Sequence, residues 1–294
     1  MNLLLILLAV VIEFAIFPGA GLRHRRWAHD WYQLVGRTLP AGARNAQGDA
    51  DDNNAGWPAA LVTVLVPLLA VFVVLGIVEN LSAWLAAGVS LFILFLTLGP
   101  EDLNDEVALS TRAHNLDLDS PKPSFVGEAD AVNLGAPIGD IEYGLLRGDL
   151  AGMALAAERR WFGPLAWFFV FGPAGAVLYR LTTTLRNDAE ASPALLTLAE
   201  AVAWVPARIT ALLLGIAGSL IPVVDKVRSV GLLTWNNSAE LVAQSALSAA
   251  DNGRIHHVIV GSSQVYRLNA MHNLLKRTLN AWLVLFAVLT LLFG

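Results

Sequence analysis

Apolar residues come in long blocks along this chain, and six of the blocks approach the length of a membrane crossing. They run from Asn2 to Phe17, Pro58 to Val78, Ser82 to Leu98, Phe162 to Thr183, Leu195 to Pro222 and Thr278 to Phe293. An α-helix rises about 1.5 Å per residue, so roughly 20 residues cover the hydrocarbon core. The second and third blocks are separated only by Glu79-Asn80-Leu81, which predicts a helical hairpin. The first and last are short and draw on flanking residues to fill the span. The N-terminal block has no Lys or Arg before Arg23 and is long for a signal peptide. It reads as a retained first helix, with Glu13 inside it near the membrane boundary and facing other helices.

Polar stretches between the blocks carry their own pattern. Asn104 caps a short helix-compatible run, and Asp140 caps a second one with apolar residues at helical spacing from Ile141 to Leu155. The stretch between them is rich in turn formers. Ser238 caps a well-signalled helix that Asn252-Gly253 ends, and another helix starts near Ser262 and runs into the last block. Residues 48–58 form a polar connector. Together these features predict an all-α polytopic membrane bundle of about six transmembrane helices, forming a single integral-membrane domain over residues 1–294.

Charge sets the expected orientation. Arg23, Arg25, Arg26, Arg37 and Arg44 lie in 18–57; Arg112, Lys122, Arg147, Arg159 and Arg160 in 100–160; Lys226, Arg228, Arg254, Arg267, Lys276 and Arg277 in 223–277. Sixteen of the 19 basic residues therefore fall in alternate loops. The positive-inside rule places those three loops in the cytoplasm and both termini in the periplasm. Composition agrees with the class: of 294 residues, 56% are hydrophobic and only 15% charged, with a mean hydropathy of +0.58. The absence of cysteine excludes disulfides and thiolate metal sites. No basic domain or recognition motif points to nucleic acid, and there is no Walker loop, nucleophile elbow or HExxH.

Polar chemistry enters the fourth and fifth blocks. The fourth carries Gly172-Pro173-Ala174-Gly175 and, one turn later, Arg180; the fifth carries Pro206 just before Arg208. Both spans are expected to break at proline. Gly172, Ala176, Arg180 and Thr184 share one helical face, and Glu200, Trp204 and Arg208 another. An arginine in a membrane helix needs a counter-charge or a route to water, and Glu200 and Glu158 are the acids at hand. One reading is structural, with packing kinks and snorkelling or paired arginines. The other is a polar pocket for an anion or a head group between two broken helices. His256 and His257 alternate in an extended pattern and share no metal. His24 and His29 sit with Trp27, Trp31 and Tyr32 in a segment expected at the head-group surface. Asn236-Asn237 reads as capping. No internal repeat is visible, which argues against a transporter.

The stretch from Glu158 to Leu185, followed by Leu198 to Leu214, resembles the AmpE family of inner-membrane modulators of β-lactamase induction. It is also similar to the related CobD/CbiB cobinamide-phosphate synthases. Leu98 to Val107 and the Trp-Asn-Asn element at 235–237 look AmpE-like, and the likeness covers most of the chain from about residue 60. The synthases carry E-N-x-x-D-G before the fourth span; here it is Glu158, Arg159, then Phe162 and Gly163. Their N-T-L-D is Thr183, Thr184, Leu185, Arg186, and their D-D-x-x-N is Ala199, Glu200, then Ala203. Most carboxylates that would hold a metal and position charge are gone. The resemblance therefore implies a non-catalytic signalling protein of cell-wall recycling and β-lactam response in the bacterial inner membrane. The alternative is an amide ligase of the synthase type. The implied ligand-binding set is Glu158, Tyr179, Arg180, Glu200, Trp204 and Arg208, with no metal or cofactor. The partners implied are membrane lipid, an anionic ligand (muropeptide-like or phosphate-bearing), and a protein docking on the cytoplasmic loops.

Overall fold

The computed structural model of the chain describes residues 2–15, 30–35, 56–98, 141–186, 191–235, 237–251 and 264–293. The expectations for His24, Trp27, His29, Asn104, Asn236, His256 and His257 fall outside those residues, as does the side chain of Glu13. Among the described residues the fold is all-α, with nine helices: α1 (Asn2–Ala15), α2 (Trp57–Leu81), α3 (Ala83–Thr97), α4 (Ile141–Ala157), α5 (Gly163–Leu185), α6 (Pro193–Ala217), α7 (Leu220–Val230), α8 (Ser238–Asp251) and α9 (Gln264–Phe293). A π-helical turn, Glu158–Phe162, joins α4 to α5. Residues 30–35 add a short helical segment. Four stretches are long and apolar enough to cross a membrane: Trp57–Leu81, Gly148–Leu185, Pro193–Ala217 and Tyr266–Phe293. This is the pattern of a multi-pass membrane protein.

The chain forms two compact units, each built from two chain segments. The first comprises Met1–Pro100 and Gly163–Trp204. In it α3 packs on α1, α2 and α5, and α5 also touches α1 and α2. Only Ser82 separates α2 from α3, in extended geometry, so the predicted hairpin is there. Its core joins Ala60 and Val64 of α2 to Leu181 and Leu185 of α5 and to Ala194 and Leu195 of α6. The second unit comprises Glu101–Phe162 and Val205–Gly294. There α8 packs on α4, α7 and α9, and α9 also packs on α4 and the π turn. Residues 151–158 are buried on every face. A helix buried all round is the centre of its bundle, and Ala151, Gly152, Ala154, Ala156 and Ala157 let neighbours approach its backbone closely.

Prolines explain where helices bend and where they do not. Pro58, Pro193 and Pro222 stand in first turns, where an N–H has no intrahelical partner to lose. Pro67 and Pro206 are interior and free the carbonyls four residues back, those of Thr63 and Val202. Each is met by a tryptophan: Trp31 Nε1 donates to the Thr63 carbonyl at 2.9 Å, and Trp167 Nε1 to the Val202 carbonyl at 2.8 Å. With the orphan acceptor satisfied, the helix continues. So the expected break of the fifth span at Pro206 does not occur, and α6 runs unbroken from Pro193 to Ala217. The same bond shows that Trp31 is engaged with the protein. So is Tyr32, whose hydroxyl accepts from the Ser192 amide at 3.3 Å.

The fourth span breaks more sharply than a kink. Gly172 adopts φ 63°, ψ −150°, a conformation open to glycine and strained for other residues. Beyond it the chain doubles back. A Cβ placed on Gly163 would fall in the Tyr179 ring, and one on Gly175 would collide with the Trp167 carbonyl. In a straight helix, residues 163 and 179 would stand about 24 Å apart. Their contact requires residues 163–171 and 173–185 to lie side by side as two antiparallel limbs. The tip residues Val170 and Phe171 are exposed. This corrects the expectation of a fourth span that crosses end to end. Gly172 supplies the turn, Pro173 withholds the donor that would continue the helix, and the glycines leave room for the limbs to meet. The fifth block also ends earlier than expected. The chain turns at Gly218-Ser219, and α7 packs back so that Val223 lies against Gly215.

Two outcomes test these statements by unfolding the purified protein in detergent. Trp167→Phe strands the Val202 carbonyl and should destabilise by about 1–3 kcal/mol. In a Pro206→Ala background the helix regains its own donor, and the same substitution should cost much less. Equal costs in both backgrounds would mean that the indole does not replace the missing bond. Gly163→Ala forces a methyl into the Tyr179 ring and should destabilise by about 1–3 kcal/mol. Gly76→Ala, with nothing within 4 Å of the new methyl, should be neutral or slightly stabilising.

Candidate functional site

Glu158 opens the π turn, and local sequence explains the turn. Pro164 has no N–H to return to the Arg160 carbonyl, and the chain widens over the turn that this bond would have closed. π turns of this kind recur at functional sites. Glu158 is buried and accepts a 2.6 Å hydrogen bond from Thr210 Oγ1 on α6. Trp282 Nε1 on α9 donates to that same hydroxyl oxygen at 3.3 Å. Carboxylate, hydroxyl and indole thus form one buried relay across the π turn, α6 and α9. Arg160, in the same turn, is also buried.

Arg208 is placed differently. Its Nε donates to the Leu232 carbonyl, one terminal nitrogen to Ser238 Oγ, and the other to the Thr234 carbonyl and Asn237 Oδ1, at 2.5 to 2.9 Å. Asn237 in turn donates to the Val230 and Gly231 carbonyls. The guanidinium fork therefore ties the α7–α8 turn to α6. Ser238, expected as the helix cap, is the first helical residue, and its hydroxyl serves Arg208. The first intrahelical bond of α8, from the Leu241 amide, goes to the Asn237 carbonyl at 2.8 Å. Arg208 and Thr210 are two residues apart, or about 200° around the α6 axis. The helix thus presents Arg208 to the turn on one side and holds Glu158 on the other.

The remaining predicted residues lie in the first unit. Tyr179 is buried with its ring on the Gly163 backbone, packed against Val202 and Ala203. Arg180 is half-buried on the returning limb of α5. Its carbonyl accepts from the Thr183 and Thr184 hydroxyls. Glu200 is buried and makes an ion pair with Arg186 at 3.4 Å, a partner that helical spacing did not suggest. Trp204, half-buried, lies one turn beyond Glu200 on α6.

Thr210, Trp282 and Arg186 are the site residues that sequence reasoning missed; Asn237, read as capping, also holds Arg208 with its side chain. Thr210 joins Glu158 across 52 residues and Trp282 joins Thr210 across 72, which no local pattern reveals. Arg186 had a signal: it is the first basic residue after Arg180 and stands seven positions before the start of α6. Among the described residues, no cluster of three or more His, Asp or Glu side chains is arranged to hold a metal ion.

The geometry of the clamp sets an expected outcome. Arg208→Lys keeps the charge but replaces a planar fork with a single head that cannot span acceptors on Leu232, Thr234, Asn237 and Ser238. It should destabilise by about 2–3 kcal/mol through lost charge-assisted bonds and speed hydrogen exchange at the Thr234 and Ser238 amides. Unchanged exchange there would show that the turn holds itself.

No protein family, curated protein or solved structure matches the chain, so the case for a function rests on the residues described above.

Proposed function

We propose that the chain is a non-catalytic, AmpE-like signalling protein of the bacterial inner membrane that modulates the response to β-lactams and cell-wall damage. Its input on this reading is an anionic ligand, muropeptide-like or phosphate-bearing. The observation that carries the proposal is the Arg186–Glu200 ion pair at 3.4 Å. By the resemblance, both positions are carboxylates in the cobinamide synthases. Here one of them is a guanidinium that neutralises the other. A cation in place of a ligating carboxylate repels a divalent metal, so the pair supports a scaffold that has exchanged metal chemistry for structure. Phe162, at another lost carboxylate position, is fully buried.

We assign the anion to Arg180, half-buried on the returning limb of α5, since a guanidinium binds carboxylate or phosphate through paired hydrogen bonds. The alternative, a synthase-like amide ligase, draws its support from Glu158, which keeps the first acidic position and is held by Thr210.

Both readings have direct tests. Deleting the gene should alter β-lactamase induction by a sub-inhibitory β-lactam. Arg180→Ala should reproduce the deletion while membrane levels stay normal, whereas Arg208→Ala should lower the level itself. The chain should also fail to complement a strain lacking the cobinamide synthase. Growth of that strain on its precursor would establish the ligase and overturn the signalling assignment.

A further inference from the structure

The second unit contains an internal depth gauge. Leu274 of α9 lies 3.0 Å from the position of a Cβ on Gly218, and Trp282 reaches Thr210 at 3.3 Å. Eight residues forward on α9 thus match eight residues back on α6, about 12 Å along each. The two contacts follow an antiparallel order, and two residues further on Arg208 comes about level with Val284. That level marks a change in the surface of α9. Lys276 and Arg277 are exposed on one side of it, and from Val284 onward Val288, Leu291 and Leu292 are exposed and apolar. On α9 itself the exposed surface therefore changes from charged to apolar between Arg277 and Val284.

Arg208 holds the turn after α7 at this same level. The turn shows an apolar surface: Leu233 is 79% exposed, and Leu232 and Trp235 are also exposed. It is held by four bonds from Arg208 and two from Asn237. Lys226 and Arg228 precede it on α7, with Arg228 exposed. We propose that this turn is a membrane-interface anchor that seats in the boundary between the head groups and acyl chains of a phospholipid bilayer. Leu232, Leu233 and Trp235 enter the acyl edge, and Arg228 and Lys226 meet lipid phosphate. An indole with an apolar body and a polar N–H suits that boundary, and basic side chains beside it favour anionic head groups. Because the turn is already fixed by its hydrogen bonds, little ordering accompanies insertion.

The chain has no cysteine, so single labels are unambiguous. Leu233→Cys carrying an environment-sensitive fluorophore is reconstituted, as the full chain, into phosphatidylcholine–phosphatidylglycerol vesicles. Val288→Cys and Tyr266→Cys, on α9, calibrate the bilayer and water ends of the same helix. The Leu233 probe should be quenched by acyl-chain spin-labelled lipid, as the Val288 probe is, and be shielded from aqueous iodide. Replacing Lys226 and Arg228 with glutamine should remove the response of the Leu233 probe to phosphatidylglycerol while leaving both α9 probes unchanged. A Leu233 probe that follows Tyr266, open to iodide and untouched by lipid-borne quencher, would place the turn in water or against a protein and overturn the proposal. So would a lipid-quenched probe whose signal ignores both basic residues and anionic lipid, for the head-group part of it.

Discussion

A backbone carbonyl in hydrocarbon has no water to turn to, and this constraint governs how the chain uses its prolines. Each interior proline removes one N–H and leaves the carbonyl four residues back without its partner, at several kcal/mol if nothing replaces it. At Pro67 and Pro206 an indole N–H replaces it, from Trp31 and Trp167 respectively. Both donors come from distant chain and form a tertiary contact as they complete the helix. Local continuity and global packing are therefore the same bond at two places in the fold.

Where no such donor governs the outcome, the proline instead marks a change of direction or of pitch. Pro164 follows the π turn that carries Glu158. Pro173 follows Gly172, and there the chain reverses. The reversal depends on a pair of close approaches, Tyr179 over Gly163 and Gly175 against the Trp167 carbonyl. Trp167 thus acts twice: its carbonyl is packed by the returning limb, and its indole supports α6. The fold of α5 and the straightness of α6 are coupled through a single residue.

Much of the helical layout was legible in the sequence because apolar block length and helical period are local properties. The α2–α3 hairpin, α4 from Ile141, α8 from Ser238 and the long α9 follow from them. What misled was proline chemistry. A proline in a helical pattern reads the same whether or not a partner will accept the freed carbonyl. So Pro173 and Pro206 looked equivalent, although one precedes a reversal and the other lies in an unbroken helix. The candidate site was legible by residue type and less so by partner. The sequence singles out Glu158, Glu200 and Arg208 as charges in or beside apolar blocks, and the structure buries all three. Their partners Thr210, Arg186 and the Leu232–Ser238 turn depend on how helices return along one another, which periodicity within a single helix cannot report.

The helical spacing of Arg208 and Thr210 on α6 gives the site its geometry. Arg208 and Thr210 come two and four residues after Pro206, on opposite sides of the helix. Each must keep its angular position if one is to hold the α7–α8 turn and the other the Glu158 carboxylate. Removing one member of a buried charged pair or network costs more than the pair contributes when intact, because the remaining charge keeps its desolvation penalty. A helix that carries two such attachments on opposite faces cannot rotate to improve one without degrading the other. The Trp167–Val202 bond, made four residues before the proline, removes the reason for the helix to hinge there. The attachments are themselves made to the Glu158 turn and to the Leu232–Ser238 turn, so those two partners set the roll of this part of α6.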